Sequence, residues 1–292
     1  MRLSCGNSAF PLLPVEQSIR IIGLLDFDGF DVVLMGNSAH LRPEEVVVDL
    51  PAWAGRVRRL LDTEGLDAAD VFCVPWTDFT TMAPNHPDHA ERTRGRDLFR
   101  QMLDLATAVE APGITMLPGV DWPHESHEQS LARAADELQQ RAEEAGERGL
   151  GFSIEAHVGS VCHDPADVLQ LCELAPSLRL TVDYTHFVSQ GVAEMDIEPL
   201  APFARHVQTR GVAKDRLQAP LKDSTLDVER MVDVLAAAGY DGFVDIEYIW
   251  VDWKRLNEVD VVSETVMLRD RLNAKFRGER WSYPGPTGIT EG

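Results

Sequence analysis

The chain has 292 residues, 44% of them hydrophobic and 26% charged, which allows a large buried core in an ordinary globular protein and excludes a disordered one. No apolar run approaches the roughly 18 residues that cross a bilayer, and Met1 to Gly6 lack the apolar stretch of a signal peptide, so no membrane role and a cytoplasmic location are expected. A formal net charge of −21 repels phosphate backbones and no basic stripe offsets it, which sets nucleic acid aside and favours a neutral small molecule as ligand.

In chain order, short apolar runs alternate with longer amphipathic stretches. Strands are expected over 3–6, 30–36, 71–74, 113–117, 151–155, 178–183, 206–210 and 243–247, most of them apolar throughout, as in a parallel sheet covered on both faces. Between them, Leu98, Met102, Leu105 and Val109 recur at helical spacing, as do Leu131, Ala135, Leu138 and Ala142. Asp164-Pro165 supplies a helix cap followed by proline at the first helical position. Ser224 or Thr225 is expected to open a helix over 228–238, and Gly239 to close it.

About eight such units predict a single (β/α)8 barrel, a TIM barrel, over 1–280, with a non-helical tail over 281–292. An open doubly wound sheet is the competing architecture, but neither GxGxxG nor GxxxxGK[ST] is present to support it. The longest irregular stretch, 75–92, can fold over a site, which makes Trp76 and His86 candidates for substrate contact; its plainer reading is a surface insertion. Cys5, Cys73 and Cys172 sit among apolar neighbours and Cys162 in a polar turn, without CxxC spacing, so all four are expected as reduced thiols.

A barrel of this kind carries its chemistry at the C-terminal ends of its strands. Strand five ends in Glu155, followed by His157. Strand six ends in Asp183, followed by His186. Strand seven carries His206, Gln208 and Arg210, and strand eight ends in Glu247. One acid after a strand is most often a cap or a surface charge, but four successive strand ends that deliver Glu155, Asp183, Gln208 or His206, and Glu247 to one rim are less easily coincidental. Three converging carboxylates repel, and one divalent cation relieves that. Oxygen donors with at most one imidazole suit Mn²⁺ best, with Mg²⁺, Co²⁺ or Zn²⁺ as alternatives. His157 and His186 have bland readings as a core histidine and a loop cap, and Arg210 and Lys214 as surface cations; beside carboxylates, a cation also orients substrate oxygens.

The text Ser153-Ile154-Glu155-Ala156-His157, then Thr181-Val182-Asp183-Tyr184-Thr185-His186, His206-Val207-Gln208 and Val244-Asp245-Ile246-Glu247 resembles the sugar isomerase/epimerase superfamily with the xylose-isomerase-like barrel, over nearly the whole chain. Asn85-His86-Pro87-Asp88 and Leu117-Pro118-Gly119 are similar to part of that group. The resemblance implies one divalent metal held by Glu155, Asp183, Gln208 and Glu247. Relatives have His-x-His on strand seven, and Gln208 stands in the second position. Gln208 then ligates through its carbonyl oxygen, or His206 substitutes, or the metal chemistry is lost.

The resemblance further implies proton transfer beside a carbonyl of a sugar or polyol-derived ketone, with Glu155 or Glu247 as base, His186 on a substrate oxygen and His157 as a further base. A lyase or dehydratase on the same barrel, including the metal subunit of an enzyme that cleaves 3-oxo-C-glycosides with a small second subunit, is the alternative enzyme. A homo-oligomer is equally compatible. A barrel with a decayed, non-catalytic site is the third reading.

Overall fold

Eight parallel strands close on themselves in sequence order: β1 (Arg2–Gly6), β2 (Gly29–Met35), β3 (Asp67–Val74), β4 (Gly113–Met116), β5 (Gly151–Glu155), β6 (Arg179–Asp183), β7 (Ala204–Thr209) and β8 (Phe243–Ile246), which pairs back onto β1. This computed structural model describes residues 1–284, so most of the tail expected over 281–292 lies outside the described residues. The closed barrel is the architecture, not the open sheet. Gly36, Leu117, Arg210 and Glu247, expected as strand ends, stand just past the last strand residue, at the mouth.

The helices are α1 (Val15–Leu24), α2 (Pro43–Val46), α3 (Leu50–Glu64), α4 (His89–Val109), α5 (His127–Glu147), α6 (Pro165–Leu174), α7 (Tyr184–Val188), α8 (Glu194–Ile197), α9 (Val228–Ala237) and α10 (Val261–Phe276). Among the described residues, no helix is long and apolar enough to cross a membrane. Asp164 caps α6 by accepting from Ala166 N and Asp167 N at 2.8 and 3.1 Å, with Pro165 at the first helical position. The cap of α9 corrects the sequence reading: Asp227, not Ser224 or Thr225, accepts from Arg230 N at 3.0 Å. Ser224 Oγ instead accepts from Val212 N and Leu226 N, fastening the loop after β7. Cys162, in the loop after β5 and hydrogen-bonded through its N to Ser160 Oγ, is buried as well; all four thiols are free and buried.

Side chains two apart on a strand share a face, and this periodicity builds the barrel's interior in layers. Ser153 and Glu155, Thr181 and Asp183, His206 and Gln208, and Asp245 and Glu247 are such pairs. The lower members form a polar layer. The hydroxyls of Thr115 and Ser153 each lie 2.7 Å from that of Thr181. Arg205 donates to Ser153 and Thr115 at 2.8 Å and pairs with Asp70 at 2.9 Å, and His206 Nε2 meets Asp31 Oδ2 at 2.7 Å. On β5 to β8, strands expected to be apolar throughout carry their apolar side chains mainly on the face that packs on the helices, with Phe152, Ile154, Leu180, Val182, Val207, Val244 and Ile246 in the main core. The upper members of the same pairs reach the mouth.

The loop after β3 ends at Asp88, where α4 begins, four residues earlier than the sequence suggests. Asn85 anchors it, donating to Val120 O at 2.7 Å and accepting from Val120 N and Trp122 Nε1 at 3.2 Å. Gly119, at φ +100°, lets the next loop pass over Asn85, because a Cβ there would strike the Asn85 side chain.

Candidate active site

Glu155 ends β5, and Asp183 ends β6 while capping α7 through Thr185 N (2.8 Å) and Thr185 Oγ1 (2.6 Å). That cap fixes one carboxylate oxygen and leaves the other facing the barrel axis. One turn into α7, His186 comes alongside. Gln208 lies on β7, and Arg210 and Glu247 follow β7 and β8. All six side chains are buried. Glu155, His157, His186, Arg210 and Glu247 line one cavity of about 380 Å³ at the mouth.

Arg210 holds the centre of this group, and only 1% of its surface is exposed. Its Nη2 donates to Asp183 Oδ2 at 3.0 Å, and its Nη1 pairs with the Glu247 carboxylate and donates to the Glu247 carbonyl at 2.9 Å. Nε reaches Leu217 O at 3.4 Å. Burial alone would lower the guanidinium's hold on its proton, but Asp183, Glu247 and Glu155 outweigh it and keep the group charged.

His186 Nδ1 accepts from Val158 N at 3.0 Å, so in the neutral ring the proton sits on Nε2. Nε2 lies 3.1 Å from Glu155 Oε1 and 3.5 Å from Asp183 Oδ2. Burial pushes the Glu155 carboxyl up, but His186, then His157 and Arg210, outweigh it and hold it below the usual range. Burial drives Glu247 the other way, well above its ordinary value, further than Arg210 pulls it back, with Glu155 and Asp183 adding to the rise. The two glutamates thus have opposite proton affinities.

Glu155, Asp183 and His186 offer donor atoms all within 4.8 Å of one another, and Gln208 Oε1 is buried without a partner. Carboxylates and an amide oxygen are the right chemistry for a small divalent ion. The protons are not: a protonated Nε2 is no ligand, and Arg210 claims one oxygen each of Asp183 and Glu247. The Gln208 amide nitrogen donates to Glu247 Oε1 at 3.2 Å. Of the residues expected to hold a metal, Glu155 and Asp183 stand together, while Gln208 and Glu247 are bonded to each other. As arranged, Arg210 supplies the positive charge among these carboxylates, and an ion would have to displace it. His206 lies one layer deeper, on Asp31.

His157 lies beside Val158 O through Nδ1 at 3.0 Å, which leaves Nε2 as a bare lone pair, buried and without a partner. Burial lowers its pKa to about 4, and His40, also on the cavity wall, to about 4 by the same cause. Both folded values lie below the unfolded one. As pH falls from 6.5 toward 4, the unfolded chain therefore takes up protons that the fold refuses, and stability drops by up to about 1.4 kcal/mol per pH unit for each histidine. In urea unfolding at pH 7.5 and pH 5, His157→Gln should lose less stability than wild type; equal losses would show that His157 is not held neutral.

Several wall residues escape a sequence reading because they come from separate loops. Phe79 adopts φ 59°, in the left-handed region that costs a bulky residue on the order of 1–3 kcal/mol. Asp78 holds it there by accepting from Thr80 N and Thr81 N at 2.9 and 2.8 Å. The Phe79 ring lies 4.5 Å from that of His157 and 5.9 Å from that of Trp253. Trp76 and His86, expected at the substrate, do not line this cavity. The His86 ring stacks edge-on to Trp122 at 4.5 Å and accepts from Asp88 N.

The sequence profile described as xylose isomerase-like TIM barrel matches residues 21–270. No curated protein matches the chain. Among solved structures, a D-psicose 3-epimerase in the presence of D-fructose superposes with a TM-score of 0.75 at 16% identity, over 94% of this chain and 99% of that one. A probable 3-DHS dehydratase from Bacillus anthracis gives 0.70 at 13%, over 94% and 99%. The IolI protein, with a zinc atom bound, gives 0.74 at 11%, over 97% and 100%. At these identities the likeness is one of fold.

Proposed function

This chain belongs to the xylose isomerase-like TIM barrel family, and on that premise we propose that it is a sugar isomerase or epimerase that moves a proton beside a carbonyl. The observation that carries this reading is the pair of glutamates, Glu155 from β5 and Glu247 from β8, lining one cavity with opposite proton affinities. Two strands intervene between β5 and β8, so the two carboxyls approach a bound substrate from different sides. Groups whose environments push their proton affinities apart serve as base and acid.

Glu155, ionised, takes the proton from the carbon next to the carbonyl. As it does so, the His186 Nε2–H that it had engaged is released toward the enediolate oxygen. The positive charge of Arg210, fixed and water-poor, stabilises the developing anion. Glu247 returns a proton from its own side. The ligand is a small neutral keto-sugar, in keeping with the acidic surface, and free buried thiols support a cytoplasmic place of action.

Incubation with a panel of ketoses and keto-glycosides in D₂O tests this. Deuterium should appear at the carbon beside the carbonyl of one of them, and turnover without exchange would sink the reading. A second reading is elimination on the same barrel, favoured by the free lone pair of His157 Nε2. If His157→Ala abolishes release of a leaving group while exchange persists, elimination is the activity; if product formation is untouched, His157 is structural. A third observation, the unpartnered Gln208 Oε1 among carboxylates, favours a metal-assisted version, with Mn²⁺ as the ion, in which Arg210 withdraws.

A further inference from the structure

The mouth of the barrel is divided. Its β5–β8 side carries Glu155, His186, Arg210 and Glu247, whereas its β2–β4 side carries Val33, Met35, Phe72, Val74 and Leu117, all of which line the cavity. With Phe79 these five form an apolar cluster of their own, separate from the main core between barrel and helices. The cluster therefore contributes to the wall of the cavity more than to the packing of the fold. The strained backbone that holds Phe79 against His157 completes the wall where it meets the charged half. Strain of this kind persists only where the surroundings impose it, and it gathers at sites that clamp ligands.

A free ketose carries a hydroxyl on nearly every carbon. Bound here, any hydroxyl set against Val33, Phe72 or Leu117 would lose water without gaining a partner from those side chains. A molecule that is oxygen-rich at one end and apolar at the other meets both halves. The volume, about 380 Å³, lies in the range that takes drug-sized ligands. Phe72, Phe79 and the Trp253 beside it offer aromatic faces and edges, which suit a flat ring. His40, buried on the cavity wall, has ring nitrogens without a hydrogen-bond partner.

We infer that the substrate is a keto-sugar carrying an aromatic substituent, with the carbonyl ring on the carboxylate half and the aryl group on the apolar wall of β2–β4. This rests on the proposed function for the position of the carbonyl, but it is tested by binding alone, so its failure is distinct from a failure of proton exchange. Phenyl β-D-glucopyranoside and methyl β-D-glucopyranoside are titrated into the full chain by calorimetry, with fluorescence of Trp250 and Trp253 as a second readout. The phenyl glycoside should bind at least about tenfold more tightly, the fold-change expected for burying one aromatic ring. Phe79→Ala, a loop substitution, and Val33→Thr, nearly isosteric, should each shrink that ratio several-fold by weakening the phenyl glycoside more than the methyl glycoside. Equal affinities overturn the inference, as do variants that weaken both ligands alike or the absence of saturable binding by either.

Discussion

Replacing Arg210 by methionine should cost about 3–5 kcal/mol of stability, read as a fall in the urea midpoint. The substitution keeps much of the side chain's bulk and removes its charge. Asp183 and Glu247 lose their partner, and with Glu155 they leave three buried carboxyls with no cation among them. The Glu247 carbonyl and Leu217 O lose donors as well. Part of the loss should return as pH is lowered, because protonating the carboxylates removes the repulsion. A divalent ion should do the same at neutral pH. Mn²⁺ at millimolar concentration should raise the Tm of the variant by several degrees more than that of wild type, since a ligand that binds only the fold stabilises it by about 2.7 kcal/mol at a hundred times its Kd. A variant as stable as wild type would show that Arg210 is not the counter-charge. Equal protection of both proteins by Mn²⁺ would show that the ion and the guanidinium do not compete.

Much of this architecture is legible from local pattern. The strands announce themselves as apolar runs, and Asp164-Pro165 marks a helix start because both the cap and the fixed φ of proline act within a few residues. Where two caps compete within a few residues, pattern is weaker: Ser224 and Thr225 look as able as Asp227, and only the path of the loop past Val212 decides. Glu155, Asp183 and Glu247 are visible because acids follow three of the last four apolar strands. The part that Arg210 plays is not visible, since a cation after a strand is usually a surface charge. Its signal is positional, two residues beyond Gln208 and so on the same inner face. Phe79, Trp253 and His40 belong to three loops that meet only when the barrel closes, so no spacing rule finds them. Trp76 and His86 show the converse: a long loop beside a site invites assignment to it, but Asn85 pins this one down with His86 stacked on Trp122.

Glu155→Gln should slow both deuterium exchange and product formation by about 10²–10⁴-fold, the usual range for loss of a general base. The amide keeps the shape of the carboxylate and can still accept from His186. Arg210 remains paired with Asp183 and Glu247, so the Tm should barely move. Glu247→Gln should behave differently. Burial raises its hold on a proton, and glutamine keeps the shape of the protonated carboxyl while being unable to give up a proton. From the substrate epimer whose hydrogen faces Glu155, exchange with solvent should therefore continue in Glu247→Gln while product formation falls by a similar 10²–10⁴-fold. From the opposite epimer the two variants should exchange roles, because each glutamate then stands on the other end of the same transfer. Measuring exchange and turnover for both variants from both epimers separates two acid–base groups on different sides from one glutamate acting alone. If Glu155→Gln exchanges at the wild-type rate from both epimers, Glu155 is not a base and proton transfer cannot begin at β5.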